Sequence, residues 1–377
     1  MSILHDPAYV LGILCLLVIV STYVAKTRFG KKLGTALIVI VFTAVAANLG
    51  LIPSASNSIP LYDAIFTYLA PVSIFYLLLG VNLTSIKKAG APMIILFLLG
   101  SLTTTLGVLT AWYLLDPQSI LGEDGITIAG MLTGTYTGGS VNFNAIALEY
   151  NFQERGILYA GTIAVDNVIT TLWIIVTLSI PVACRGFWKD KKVEISKTTL
   201  ESEEKDKLCM HSLMWLIFLG IAAYFISEGV SMIFPGIPSI LTISTIGIIL
   251  AQFPFVNKLH GSHTLGLYLV FLFLAVIGAY CEISSVMELQ EVGINLLLFA
   301  ALAVFIHGAL LVLIGGLIYR DWDMIAIVSQ ANIGGGTTAI ALAESFGRNE
   351  LILPAILVGT LGNAVGTYLG FMVVYLL

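Results

Sequence analysis

The sequence predicts an all-α polytopic membrane protein built from two inverted-topology repeats. Of its 377 residues, 58% are apolar and 10% are charged, whereas soluble domains are about 45–50% apolar and about 25% charged. Apolar stretches of span length recur along almost the whole chain, which gives a mean hydropathy of +0.99. Two glycine-rich clusters lie at matching places, one before and one after a charged insert. Together these features are typical of secondary transporters with internal repeats.

Twelve apolar segments are long enough to enter a membrane, taking about 20 residues per crossing. Six precede the insert: 8–24, 33–52, 60–82, 91–115, 125–150 and 157–182. Six follow it: 211–234, 238–256, 265–286, 292–319, 323–345 and 351–377. The insert, 183–207, carries 13 of the chain's 39 charges, so we expect a solvated cytoplasmic linker. The expected domains are an N-terminal membrane repeat (1–182) and a C-terminal membrane repeat (208–377).

The repeat is inferred from the surroundings of the two glycine clusters. In each half the cluster is followed by Ala-Ile-Ala-Leu, a phenylalanine and, within an apolar span, an asparagine. In the first half the cluster is Gly138 and Gly139, the tetrapeptide is 145–148, the phenylalanine is Phe152 and the asparagine is Asn167. In the second half the cluster is Gly334, Gly335 and Gly336, the tetrapeptide is 339–342, the phenylalanine is Phe346 and the asparagine is Asn363.

Each glycine-rich segment, 125–150 and 323–345, either crosses the membrane as a broken helix or enters and returns as a hairpin. Length does not decide, because about 25 residues suit one span or two half-depth arms. With two hairpins, 16 of the 17 basic residues face one side of the membrane and only Arg155 faces the other. With two crossing helices, 8 basic residues face the inside and 9 face the outside. Short cytoplasmic loops carry an excess of Lys and Arg, so charge favours hairpins. For the second segment the two topologies differ only in the side on which Arg348 lies, so the second hairpin is inferred from the repeat and not from charge.

Five spans and one hairpin per half give an odd number of crossings, so the second half is expected to be inverted relative to the first. We then expect both termini outside and the linker inside, in a multi-pass protein of the inner (plasma) membrane.

The two glycine clusters are the predicted solute-binding site. Non-helical backbone at membrane depth persists where protein buries it or where a cavity lets water or solute satisfy it. Glycine lets the backbone approach a solute closely, exposed N–H groups of the returning arm favour an anion, and freed carbonyls favour sodium. Close helix packing is the alternative explanation of such glycines. The predicted substrate-binding residues are Thr137, Gly138, Gly139, Ser140, Asn142, Asn144, Asn332, Gly334, Gly335, Gly336, Thr337 and Thr338.

An intramembrane carboxylate is the predicted ion-coupling group. Asp166 lies near the middle of an apolar segment, where a carboxylate is expensive unless it is paired, solvated or bound to a cation. Asn167 adjoins it, and Asn363 occupies the matching place in the second half. Apart from a sodium ion at Asp166, we expect no metal and no cofactor. His307 is also mid-span, but a lone helical histidine is more often a packing residue, and it is left out of the predicted site.

Several function classes lack support in the sequence. The net charge of −5 gives no basic field for a nucleic acid. No zinc-protease, serine-hydrolase or Walker A motif is present, so we expect no enzyme. Ser140 and His307 are the only weak candidates for a nucleophile and a base.

At Gly-Gly-Ser-Val-Asn from 138 and Gly-Gly-Gly-Thr-Thr-Ala-Ile-Ala from 334, the chain resembles the YjcL-like family of bacterial membrane proteins of unknown function, over nearly its whole length. More distantly, the paired clusters are similar to the hairpins of glutamate:sodium symporters and 2-hydroxycarboxylate transporters. That resemblance implies that the five clustered glycines line a pathway, and by analogy a homodimer. The loops differ, since five residues separate the glycines from Ala-Ile-Ala-Leu in the first half and two in the second.

Two functions are therefore expected from the sequence. The first is a secondary active transporter of a small organic, anionic solute, coupled to sodium or protons, in contact with the lipid bilayer. The second is a cation:proton antiporter with Asp166 as its carboxylate. It follows from the similarity of Asp166 and Asn167 to the acidic motif of sodium:proton antiporters and bile-acid:sodium symporter relatives, whose two broken helices cross fully.

Overall fold

The computed structural model describes residues 3–28, 30, 34–191, 193, 209–281 and 289–377. Fourteen helices form its framework, and the described residues contain no strand. In the first half they are α1 (Pro7–Val24), α2 (Thr35–Asn48), α3 (Pro60–Leu78), α4 (Ala91–Leu115), α5 (Asp124–Gly138), α6 (Ser140–Glu149) and α7 (Gly156–Phe187). In the second half they are α8 (Met210–Ile233), α9 (Ser239–Leu250), α10 (Ser262–Ala279), α11 (Leu289–Ile318), α12 (Trp322–Ile333), α13 (Gly335–Ser345) and α14 (Ile352–Leu376).

Helix starts follow ordinary N-terminal signals. The Asp6 side chain accepts hydrogen bonds from the backbone N–H groups of Ala8 and Tyr9 and so caps α1. Asp321 caps α12 in the same way through Met324. Helices α1, α3 and α4 each have a proline in the first two helical positions, where the missing N–H costs nothing.

The described helices confirm a polytopic all-α membrane protein. Eight of them, counting Asn349–Leu351 with α14, are long and apolar enough to span a membrane, and α2 and α9 are shorter apolar helices. These ten, with the two glycine-rich segments, correspond to the twelve predicted segments. The ends differ: α10 stops at Ala279, before the predicted 286, and residues 282–288 lie outside the described part. Helix α7 continues to Phe187, five residues into the predicted linker, most of which is also outside it.

Contacts between helices occur in matched pairs, with each helix of the first half corresponding to the one seven places later. Helix α2 packs on α10, and its counterpart α9 packs on α3. Helix α5 packs on α14, and its counterpart α12 packs on α7. Helices α3 and α10 are counterparts and pack directly on each other, as do α4 and α11. The helices of the two halves are thus intertwined, and their contacts occur in matched pairs.

Candidate functional site

Helices α5 and α6 form a hairpin that turns at Gly139. This glycine has φ +99°, which residues with a side chain rarely adopt. Beyond it the chain doubles back, because Asn142 Nδ2 donates to the Gly134 carbonyl at 3.4 Å and the Ile146 side chain packs against Gly130. In a continuous helix, residues 130 and 146 would be about 24 Å apart. The arms therefore run antiparallel, and the first glycine-rich segment is a hairpin, not a crossing helix.

Helices α12 and α13 form a second hairpin with the same kind of turn. Gly335 has φ +79°. Gln330 Nε2, before the turn, donates to Thr338 Oγ1, after it, at 3.0 Å. Eight residues along a helix would separate these positions by about 12 Å, so the chain folds back here too. Both predicted hairpins are present.

The two hairpin tips meet on α14. A Cβ placed on Gly359 would lie 2.8 Å from Gly336 Cα of the second hairpin, and one placed on Gly362 would lie 2.6 Å from Gly138 Cα of the first. Positions 359 and 362 are about 4.5 Å apart along the helix axis. The tips therefore lie side by side, on neighbouring turns of a membrane-spanning helix.

Helix α7 contacts both hairpins in the same manner. The Tyr136 hydroxyl of α5 faces Asp166, and one turn later Thr170 Cγ2 lies 3.1 Å from a Cβ placed on Gly334. The first hairpin, the second hairpin, α7 and α14 thus converge around the predicted ion-coupling residue.

The open part of this region lies at the tips themselves. A Cβ placed on Gly335 would meet nothing within 4 Å, and one on Gly139 would meet only Asn363 Oδ1, at 3.9 Å. The residues that begin the returning arms, Ser140 and Thr337, have exposed side chains. Among the described residues, no side chain caps the N-terminus of α6 or α13. A solute could therefore approach the backbone of both tips, where helix N-termini attract negative charge.

Four buried oxygens near the tips make no hydrogen bond of ordinary length with the described residues, although two of them, on Tyr136 and Asp166, belong to side chains that face each other. They are Tyr136 Oη, Thr137 Oγ1, Asp166 Oδ1 and Asn332 Oδ1. Buried polar atoms are usually paired, and each exception calls for an explanation such as an ion, a water or a ligand. The carboxylate oxygen is the most costly of the four to leave bare. No group of three or more His, Cys, Asp or Glu in the described part of the chain is placed to hold a metal ion, so a cation at Asp166 would need neutral oxygens as well.

The two predicted asparagines beside this region differ in position. Asn363 adjoins the first tip, because its Oδ1 lies 3.9 Å from a Cβ placed on Gly139. Asn167 Oδ1 lies 3.9 Å from a Cβ placed on Gly34, just before α2. The structure therefore places Asn363 at the tips and directs the Asn167 amide toward the start of α2.

Most other predicted site residues contact protein atoms beside the opening. Asn144 Oδ1 accepts from the Tyr159 hydroxyl, Asn332 Nδ2 donates to Ser101 Oγ at 3.1 Å, and Thr338 Oγ1 donates to the Gly335 carbonyl. Three of the five glycines are enclosed by neighbouring atoms: Gly138 by α14, Gly334 by Gln330 and Thr338, and Gly336 by α14 at 3.7 Å.

Asn142 is a clamp between the first hairpin and α14. Its Oδ1 accepts from the backbone N–H of Thr367 at 3.1 Å and from the Thr367 hydroxyl at 2.8 Å. Its Nδ2 donates to the Gly362 carbonyl at 3.2 Å. One fully buried amide thus satisfies polar atoms of α14.

We expect Asn142→Leu to destabilise the protein by roughly 2–4 kcal/mol, because buried groups of Thr367 and Gly362 lose their partner. Denaturant titration in detergent should show this as an earlier unfolding midpoint. Asn257→Leu makes the same chemical change at an exposed position and should leave the midpoint nearly unchanged. Equal midpoints for the two variants would contradict the clamp.

Comparison with known proteins assigns the chain to a family. Residues 9–377 match the family described as "Protein of unknown function (DUF819)". The chain belongs to the DUF819 family. A protein of Bacillus subtilis (strain 168), described as "Uncharacterized membrane protein YjcL", is 31% identical over 369 residues, which is 92% of this chain and 90% of that protein. The resemblance to a YjcL-like family is confirmed.

Sequence reasoning missed a polar network in the interior of this DUF819 protein. His307 of α11 is fully buried and bonded through both ring nitrogens, to α4 on one side and to Ser329 of α12 on the other. Trp173 of α7 donates to the same Ser329 hydroxyl at 3.0 Å, and Thr177 donates to Gln330 Oε1 at 3.2 Å. The signal in the sequence is limited to Ser101, Thr103, Thr104 and Thr105, which are interrupted by Leu102 and have no periodicity of their own.

A second missed feature is an ion-pair cluster at the base of the second hairpin. Arg348 binds Asp321 in two places, at 2.9 and 3.1 Å, and both side chains are buried. Arg185 of α7 bridges Asp323, at 2.6 Å, and Asp190, at 2.9 Å. Burial opposes the charge on Arg348, but its hydrogen bonds with Asp321 hold the guanidinium pKa above its ordinary value. The cluster ties the base of the second hairpin to the beginning of the linker.

Arg348→Met is expected to destabilise the protein by about 3–5 kcal/mol, because it leaves two buried carboxylates, Asp321 and Asp323, without that partner. The first hairpin offers a matched control. Arg155 pairs with Asp124 at 3.5 Å, but these side chains are 64% and 31% exposed, so Arg155→Met should cost about 0–1 kcal/mol. Thermal unfolding of both variants checks this, and a larger loss for Arg155→Met would refute it.

Proposed function

We propose that this protein is a secondary active transporter of a small organic anion, bound between the two hairpin tips. The proposal is supported by one structural feature. Two re-entrant hairpins meet deep in the membrane-spanning region, and each has open backbone at its turn. Gly335 and Gly139 provide that open backbone. Irregular backbone at such depth is expected where it lines a cavity or a solute path.

The preference for an anion is supported by the polarity of the tips. Two helix N-termini, those of α6 and α13, begin there without side-chain caps, and each carries partial positive charge. Ser140 and Thr337 add exposed hydroxyls that can donate hydrogen bonds. A carboxylate satisfies both kinds of donor.

Coupling to sodium or protons is proposed at Asp166. Its Oδ1 is buried without a hydrogen-bond partner, and either a bound sodium ion or a proton would remove the cost of that bare oxygen. The same oxygen favours the second candidate, a cation:proton antiporter with no organic substrate. The doubling back of both hairpins weakens that alternative, because the antiporter resemblance implies broken helices that cross.

Movement and orientation complete the proposal. The spans α1–α3 and α8–α10 would form one bundle, and α4–α7 with α11–α14 the other, so that alternating access comes from one bundle moving against the other. We place the protein in the plasma membrane with both termini outside and 183–207 as a cytoplasmic linker between inverted repeats 1–182 and 208–377, and we expect a homodimer. We also propose that it is not an enzyme and needs no cofactor beyond a sodium ion. His307 bonds to the buried Ser329 and not to the exposed Ser140, so no accessible nucleophile is paired with a base there.

Thermal stability of the detergent-purified protein tests the proposal. The protein is measured in sodium, potassium and choline chloride at matched ionic strength and two pH values, with a panel of small carboxylates and amino acids. A ligand at 100 times its dissociation constant stabilises the folded state by about 2.7 kcal/mol. We expect one carboxylate to raise the melting temperature, with a further rise in sodium or at one pH. A sodium shift that no solute enlarges would favour the antiporter, and no shift in any condition would contradict both functions.

A further inference from the structure

His307 lies where the two hairpins and α4 come together. Its Nε2 is 3.0 Å from Ser329 Oγ in the second hairpin. Its Nδ1 is 3.1 Å from the Gly100 carbonyl oxygen and 2.9 Å from Thr104 Oγ1, both on α4. Thr104 Oγ1 in turn donates to the Tyr136 carbonyl of the first hairpin at 3.1 Å. One imidazole therefore connects the first arms of both hairpins.

The partners of the two ring nitrogens favour one tautomer of His307. A carbonyl oxygen only accepts, so the 3.1 Å contact of Nδ1 with the Gly100 carbonyl favours a hydrogen on Nδ1, shared with Thr104 Oγ1 at 2.9 Å and Thr103 Oγ1 at 3.2 Å. Trp173 Nε1 only donates, and it donates to Ser329 Oγ. The Ser329 hydroxyl hydrogen is then free to point at His307 Nε2, which accepts it. The neutral form of His307 with its hydrogen on Nδ1 satisfies all these groups. In the Nε2–H form, Thr103 or Thr104 would donate to Nδ1, and Nδ1 would face the Gly100 carbonyl oxygen with no hydrogen between them.

We propose that His307 is the positioning residue that keeps the two hairpins in register, as a neutral imidazole with its hydrogen on Nδ1. The imidazole is fully buried between α4 and α12, so it acts through the hairpins and does not touch the solute. The first hairpin is held through Thr104 and the second through Ser329. This inference deepens the proposed transport function, since alternating access requires the two tips to keep a defined spacing in each state.

The first test reads the tautomer directly. Nitrogen-15 NMR of the full-length protein labelled at histidine distinguishes Nδ1–H, Nε2–H and imidazolium forms by chemical shift, and comparison with His307→Gln assigns the His307 signals. We expect the His307 signals to be those of an Nδ1–H imidazole at neutral pH, and the exposed His263 provides a control signal. An Nε2–H form or an imidazolium at neutral pH would overturn the proposal.

The second test measures the spacing of the tips. Spin labels are placed on cysteines introduced at the exposed Ser140 and Thr337, after replacing the four native cysteines Cys15, Cys184, Cys209 and Cys281. Electron–electron distance measurements on the parent should give one narrow distribution. His307→Asn places an amide near the Nδ1 position and His307→Gln near the Nε2 position, so each retains one connection and loses the other. We expect both to lose the narrow distribution, and His263→Gln to retain it.

A purely structural role predicts a different result. It would lower the melting temperature of His307→Asn and His307→Gln while leaving the tip-to-tip distribution of the folded fraction as in the parent, and that outcome would refute the proposal. Neither test uses a solute, so a failure here is distinguishable from a failure of the transport function, which would appear as the absence of any ligand-induced stabilisation.

Discussion

Replacing Gly335 with asparagine is expected to weaken binding and uptake of the solute that stabilises the parent protein, without unfolding the protein. Asparagine tolerates the left-handed conformation better than most residues, and a Cβ at this position meets nothing within 4 Å. Its carboxamide would then occupy the space that we assign to the solute. The apparent affinity should fall by more than tenfold, about 1.4 kcal/mol, as measured by uptake into proteoliposomes and by loss of the ligand-induced melting shift.

Gly347→Asn is the matched control for this change. Gly347 also has positive φ, +65°, and open space at its Cβ position, but it follows α13, at the base of the same hairpin. Its asparagine variant should transport as the parent does. Gly138 is less suited to this test than its place in the cluster suggests, because a side chain there would overlap Gly362 and Asn363 of α14. If the Gly335→Asn variant took up solute as the parent does, the second hairpin tip would not be part of the solute site.

Asp166→Asn is expected to abolish coupling of transport to an ion gradient while leaving the protein folded. The substitution keeps the size of the side chain and removes the charge of a carboxyl group whose Oδ1 is buried and unpartnered. The asparagine amide can still face the Tyr136 hydroxyl, and burying an amide costs less than burying a carboxylate, so the melting temperature should stay the same or rise. Solute flux into proteoliposomes, with and without sodium and pH gradients, should lose its dependence on whichever gradient drives the parent.

Asp63→Asn serves as the control, because Asp63 is exposed near the start of α3. It should retain the gradient dependence of the parent. If Asp166→Asn retained it as well, Asp166 would not be the coupling residue. If Asp166→Asn abolished pH-dependent sodium exchange in a protein that moves no solute, the antiporter would be the correct function.

The fold was largely predictable because hydrophobicity and loop charge act locally. A run of apolar residues must be helical in lipid, so the segment ending near residue 115 and α4 agree closely. The first hairpin followed from loop charge, which needs no knowledge of contacts. Helix ends were less predictable: α7 continues to Phe187 because Arg185 finds the acidic partners Asp190 and Asp323, and Asp323 is distant in sequence.

The site was predictable in residue type but not in geometry. The sequence shows five clustered glycines, yet only the structure separates the open Gly139 and Gly335 from the enclosed ones. Asn142 and His307 depend on partners more than 200 residues away in the chain. Their sequence surroundings therefore carry no sign of the clamp or of the connection between the hairpins.

The reactivity of a cysteine at Thr337 measures whether the solute binds at the hairpin tips. In the background without native cysteines, Thr337→Cys should react with a charged, membrane-impermeant thiol reagent, because the tip is open to water. The solute found in the stability screen should slow that reaction. Leu172→Cys, on α7 with 53% of the leucine exposed, should be unreactive because it faces lipid. If the Thr337→Cys variant were as unreactive as Leu172→Cys, the tip would not be open to water. If it reacted equally fast with and without solute, the solute would not bind at the hairpin tips.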